Sequence, residues 1–160
     1  MLNAGRFTHE PVTEPITVFL IGMRVNRWWK LGSTIWTISQ MPPMLRELAR
    51  DPESGLLGFH NWFGRTTLLL SYWRSPEHLI RYAGRPDARH RPAWRGFNRL
   101  IGSSGDVGIW HETYQVQPGT AEGVYVNMPD FGLGNALGVE QVTKETASAA
   151  RRLGRSQPTT

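Results

Sequence analysis

The sequence predicts an α+β fold in which β-α-β-β-α-β elements build a four-stranded antiparallel sheet with its helices on one face. Three features lead there. Ile16 to Met23 (ITVFLIGM) is a nearly continuous apolar strand; the strand-like runs Gly55 to Phe63 and Thr66 to Trp73 flank a turn at Gly64-Arg65; and Val107 to Gln117 (VGIWHETYQVQ) alternates in the manner of a strand. Helical patterns fill the two intervals, 33–50 and 76–101. Strand, helix, hairpin, helix, strand is the split βαβ or ferredoxin-like order, and right-handed crossovers place both helical stretches on the same face of the sheet.

Residues 1–14 are polar with Pro11, and Pro15 follows, so they read as an extended arm. After the first strand, Arg24 to Gly32 is a connector holding Trp28 and Trp29, and Ser33 is placed to cap a helix with apolar positions Ile35, Trp36 and Ile38. Pro42 and Pro43 predict a kink or two helical pieces, the second carrying Met44, Leu45 and Leu48. A two-residue turn at Gly64-Arg65 pairs Phe63 with Thr66, which sets Asn61 opposite Leu68, Phe59 opposite Leu70 and Leu57 opposite Tyr72; Trp62, His60 and Trp73 fall on the other face. Both faces then carry large apolar side chains, which predicts a homodimer through the sheet face that the helices leave bare.

The segment Tyr72 to Trp94 (YWRSPEHLIRYAGRPDARHRPAW) marks the second crossover. Ser75 and Pro76 stand where a helix takes its capping hydroxyl and its first residue, Gly84 and Pro86 end that helix, and a second begins near His90 with Ala93, Trp94, Phe97, Leu100 and Ile101 on one stripe. Beyond the last strand, Gly123 to Asn127 is a short strand or extension, 129–138 a glycine-rich loop, and 139–153 a thinly apolar helix before a loose tail. The whole chain reads as one domain, 1–160, with its core at about 15–128.

At 160 residues with a net charge of +5 the composition is that of an ordinary soluble, cytoplasmic protein. The absence of cysteine excludes disulfides, thiolate metal sites and cysteine nucleophiles; five histidines remain. Arginines 74, 81, 85, 89, 91, 95 and 99 gather around the central helices without a nucleic-acid-binding motif, and no apolar run approaches the ~20 residues a membrane helix needs, so neither nucleic acid nor membrane is an expected partner. The Gly132-Leu133-Gly134 loop lacks the strand and helix context of a nucleotide motif.

YWRSPEHLIRYA at 72–83 with the following His90 and Trp94, GIWHETY at 108–114 and GVYVNMPDFGLG at 123–134 resemble the DUF4188 family, which is monooxygenase-like and grouped with the dimeric α+β barrel proteins. The resemblance implies a fold shared with cofactor-independent antibiotic-biosynthesis monooxygenases and haem-degrading monooxygenases, where two ferredoxin-like subunits pack sheet against sheet. It implies a pocket between each sheet and its own helices, with Trp94, Phe97 and Ile101 on its wall and His90 near its rim. From the cofactor-independent relatives it implies roles for Asn61, Trp62 and Tyr72; from the haem-degrading ones, a haem b with His90 as axial ligand.

Among the residues themselves, His90 is the leading candidate for chemistry, since an imidazole either ligates iron or takes a proton near neutral pH. His111 and Glu112 are adjacent in a strand and point to opposite faces, so one of them meets the helical layer. Asn61 and Tyr72 complete the catalytic candidates. Three functions remain open: a metal-free oxygenase of an apolar or aromatic, polyketide-like metabolite; a haem enzyme of the haem-degrading or aldoxime-dehydratase-like kind; and a dimeric ligand-binding protein without catalysis.

Overall fold

A computed structural model describes residues 2–85 and 90–153, and of His90 the backbone only. The four-stranded sheet is built from β2 (Ile16–Val25), β3 (Leu56–Trp62), β4 (Leu68–Trp73) and β5 (Val107–Val116), in the order β3-β4-β2-β5 and antiparallel throughout. This is the ferredoxin-like arrangement, with β2 and β4 central because each crossover returns the chain beside an earlier strand. On one face lie α1 (Leu31–Arg50), α2 (Pro76–Gly84) and α3 (His90–Leu100).

The helix α1 is one element of 20 residues with Lys30 at its N-cap and both prolines inside it, so the start at Ser33 and the division into two pieces do not hold. Pro42 and Pro43 deprive the carbonyls of Ile38 and Ser39 of their usual donors. The apolar positions on both sides of the pair, Met41, Met44, Leu45 and Leu48, all line cavities against the sheet, and that packing keeps the helix continuous. Ser75 does precede α2, but its hydroxyl meets His78 Nδ1 at 3.0 Å instead of capping the backbone.

The hairpin register differs from the sequence expectation by one residue. Asn61 pairs with Leu69 and Trp62 with Leu68, leaving residues 63–67 as the connection. The cause is competition from β2: the Val25 amide donates to the Arg65 carbonyl at 2.8 Å and the Thr67 amide to the Met23 carbonyl at 2.8 Å, so these loop residues extend β2 and are lost to a tight turn. A one-residue shift moves a strand's side chains to the other face. Asn61 and Phe59 thus join Leu69, Ser71 and Trp73 on the helix side, while Trp62 and His60 join Tyr72 on the far side. A bulge at Leu56/Gly58 lets Leu57 return to the far-side core.

The far face is partly covered by this chain itself. The arm is a strand, β1 (Asn3–His9), which pairs antiparallel with β6 (Tyr125–Met128) and β7 (Val139–Gln141) in a second sheet of order β6-β1-β7. The short helix α4 (Leu133–Leu137) joins that layer, and Leu133, Ala136 and Leu137 pack with Val12, Ile16 and Tyr72. Segment 139–153 is therefore a strand, a turn and the short helix α5 (Ala149–Arg152) instead of one helix. Its anchor is Arg152, whose guanidinium donates to Glu122 at 2.8 Å and to the Thr146 carbonyl at 2.9 Å while almost wholly buried.

Candidate active site

Between the sheet and α1 and α3 lies a cavity of about 520 Å³. Ile21 and Met23 of β2, Leu69 of β4 and Ile109 of β5 form its floor; Trp36, Met41 and Met44 of α1 with Trp94 and Phe97 of α3 form its roof. The two helices approach closely at Gly96, where a Cβ would stand 2.5 Å from the Trp36 ring. Trp94 and Phe97 stack in parallel with centroids 5.8 Å apart. These surfaces suit a flat, apolar ligand.

Five polar side chains line the cavity, and three are turned to neighbouring protein atoms. The Thr37 hydroxyl donates to the Ser33 carbonyl at 2.8 Å, Gln40 to the Trp36 carbonyl at 3.2 Å, and the Thr67 hydroxyl accepts from the Met23 amide at 3.0 Å. The other two, Asn61 and His111, have no hydrogen bond to another described residue. They stand in one row across the sheet, Asn61–Leu69–Ile21–His111, each paired with the next. Three inter-strand steps of ~4.8 Å separate them by about 14 Å. One ligand lying over Leu69 and Ile21 meets a hydrogen-bonding amide at one end and an imidazole at the other. Among the described lining residues, His111 carries the single imidazole.

The other sequence candidates are dispersed. The His90 side chain lies outside the described residues; its backbone begins α3, one turn ahead of Trp94. Ile101 is buried in a core cluster with Met23 and Val107 and is not on the cavity wall. Tyr72 is on the far face, away from Asn61, where burial, with a further contribution from the Tyr125 phenol, pushes its hydroxyl up to about 12. Glu112 is also on the far face, exposed, and its carboxylate accepts from the Tyr114 hydroxyl at 2.7 Å. His111 is thus the member of the 111–112 pair that meets the helices. Thr37, Gln40 and Met41 of α1 are the lining residues that sequence reasoning missed: with Met44 they follow one another at helical spacing, but the proline pair interrupts the pattern by which they would be found.

His60 has a structural place instead. Its Nε2 accepts from the Gly132 amide at 2.8 Å and its ring lies 4.2 Å from that of Phe131, which fastens the glycine-rich loop to the sheet. Nε2 as acceptor puts the proton of the neutral ring on Nδ1. Burial lowers its pKa from the ordinary 6.5, so as pH falls the unfolded chain takes up this proton first. Melting temperature should hold above about pH 6.5 and decline below it, and His60→Gln should flatten that decline; an unchanged pH profile in the variant would assign the loss to other groups.

Comparisons with known proteins accord with this architecture. A family model described as monooxygenase af470-like matches residues 16–133. Monooxygenase af470 of Aspergillus fumigatus is 28% identical over 148 aligned residues, covering 81% of this chain and 49% of that protein, so the chain spans about half the length of the curated relative it matches. Among solved structures, an aldoxime dehydratase superposes with a TM-score of 0.65 at 12% identity, over 95% of this chain and 44% of that one. Aldoxime dehydratase OxdRE, solved with butyraldoxime, gives 0.62 at 15% identity over 84% and 39%. At such identities the likeness is one of fold.

Proposed function

Because the chain belongs to the monooxygenase af470-like family, we propose that it is an oxygenase of an apolar, aromatic or polyketide-like metabolite bound between sheet and helices, and that His111 is its proton acceptor. The observation that carries this reading is the row Asn61–Leu69–Ile21–His111, whose two ends are the cavity's polar side chains not bonded to other described residues. In the reaction proposed, the imidazole takes a proton from an acidified CH2 of the substrate and leaves a carbanion. The carbanion gives its electrons to dioxygen and forms a C–O bond, the imidazolium returns the proton to the distal oxygen, and loss of water leaves a carbonyl. Overall CH2 + O2 gives C=O + H2O, which balances without an outside reductant. Asn61 orients the far end of the substrate, and the Trp94–Phe97 stack with the α1 methionines excludes water from the carbanion.

The test is oxygen uptake with a panel of polycyclic CH-acids and equimolar carbonyl product by mass spectrometry. Ligand binding without uptake would point to the non-catalytic binding protein. A second reading, haem b with His90 axial, has the fold likeness to the aldoxime dehydratases beside it. The described cavity residues offer a haem one imidazole, His111, and no cation for its propionates, so by themselves they do not make a haem site. A Soret band in protein grown with iron and haem precursor, lost in His90→Ala, would favour that reading over the oxygenase.

The same proposal takes the protein as a homodimer through the part of the far face left open by the second sheet, where Tyr114 is 53% exposed beside Glu112. Light scattering should give twice the 18.1 kDa chain mass at micromolar concentration, and a monomeric mass would end the dimer.

A further inference from the structure

One end of the molecule combines exposed aromatic and aliphatic side chains with unbalanced positive charge. In the connector between β2 and α1, Trp28 is 72% and Trp29 59% exposed, and Leu31 and Ile35 continue the apolar surface along α1 at 62% and 64%. The loop after β3 lies at the same end, since its Thr66 bridges to Arg24, and it presents Phe63 at 78%. Trp94 of α3 is 54% exposed. Ile38, Phe63 and Trp94 are also on the cavity wall, so this surface runs to the mouth of the site.

From Arg24 to Arg46 the sequence has no acidic residue, and α3 has none either, while Arg24, Lys30, Arg91, Arg95 and Arg99 are exposed. Among the described residues, the carboxylate of Asp106 at this end is taken by Arg27 at 3.0 Å. Tryptophans among cations, without neutralising acids among the described residues of these elements, suit a surface that sits in the headgroup layer of an anionic bilayer. A second copy of the chain fits less well, because a two-fold contact would set these cations against themselves. No helix among the described residues is long and apolar enough to cross a membrane.

We propose that this end docks on anionic lipid surfaces, through Trp28, Trp29, Leu31, Ile35 and Phe63 with the flanking arginines, and that apolar ligands pass directly between the bilayer and the cavity mouth. The docking stands on the exposed surface alone; only the ligand transfer rests on the cavity's proposed function. The test is co-sedimentation of the full chain with phosphatidylcholine vesicles and with mixed phosphatidylcholine and phosphatidylglycerol vesicles. Binding is expected to the anionic vesicles only and to weaken as salt is raised. Trp28→Ser with Trp29→Ser should weaken it by about tenfold or more, and Arg95→Gln by about fivefold, with melting temperature and light-scattering mass unchanged because these side chains are exposed. Failure to bind anionic vesicles at low salt overturns the proposal. So does equal binding to neutral vesicles, a change of oligomeric mass in the tryptophan variant, or competition by duplex DNA that empties the vesicles of protein at equal charge concentration. Oxygen uptake in detergent-free buffer by the tryptophan variant should match the unsubstituted protein, which separates a failed docking surface from a failed oxygenase.

Discussion

Replacing His111 by alanine should lower turnover of an accepted substrate by about 10²- to 10⁴-fold while leaving its dissociation constant within a few-fold of the unsubstituted protein. The loss falls on kcat because the imidazole is asked for a proton in the transition state, whereas ground-state affinity comes from the apolar walls. His111 is exposed and its ring meets Phe19 at 5.8 Å, so truncation removes little packing and the fold should survive. His111→Gln keeps the size and a hydrogen-bonding group but no comparable basicity and should be as slow as the alanine variant. Asn61→Ala should instead raise KM by about tenfold, since one hydrogen bond to a bound ligand is lost at the far end of the row. If His111→Ala retains full turnover, the proton acceptor is elsewhere, and His90→Ala is the next variant to measure.

The second large effect concerns stability. A Cβ on Gly22, in the middle of β2, would stand 2.0 Å from the Thr67 carbonyl oxygen and 2.9 Å from the Trp110 indole nitrogen. Neither contact can be relieved by a flexible side chain: the first atom is backbone, and the second belongs to a bulky ring on the neighbouring strand. Gly22→Ala must displace the segment whose Thr67 amide bonds the Met23 carbonyl, and with it the floor of the cavity. A loss of about 3 kcal/mol or more is expected, or a melting temperature lower by roughly 6–12 °C for a chain of this size. A variant as stable as the unsubstituted protein would show that the 63–67 connection shifts freely.

The order of elements was legible in the chain because each signal is local: apolar strands, a hairpin between them, proline at the first turn of α2. What escaped was decided between distant segments. The tight turn at Gly64-Arg65 is sound on its own, yet Thr66 and Thr67 find better partners on β2, and that exchange puts Asn61 among the cavity residues and separates it from Tyr72. The adjacency of His111 and Glu112 was enough to place them on opposite faces, but which one meets the helices follows from pairing with Ile21 and Leu20, which no local pattern specifies. The continuity of α1 through Pro42 and Pro43 escaped for a similar reason, since packing against the sheet outweighs the local penalty.

The second sheet also bears on the order in which the molecule assembles. β1 is made before every other strand, yet its partners are β6 and β7, and the Asn3 side chain closes on Asp130 across 127 positions. Pairing over such a span comes late, after the β2–β5 sheet has brought the two stretches near each other. Through most of synthesis β1 therefore waits with both edges unpaired, the state in which strands recruit foreign ones. Its middle residues, Gly5 and Arg6, are a flexible and a charged position that discourage such pairing. Refolding should accordingly show a slow last phase that reports on the small sheet, and that phase should disappear when β1 is deleted.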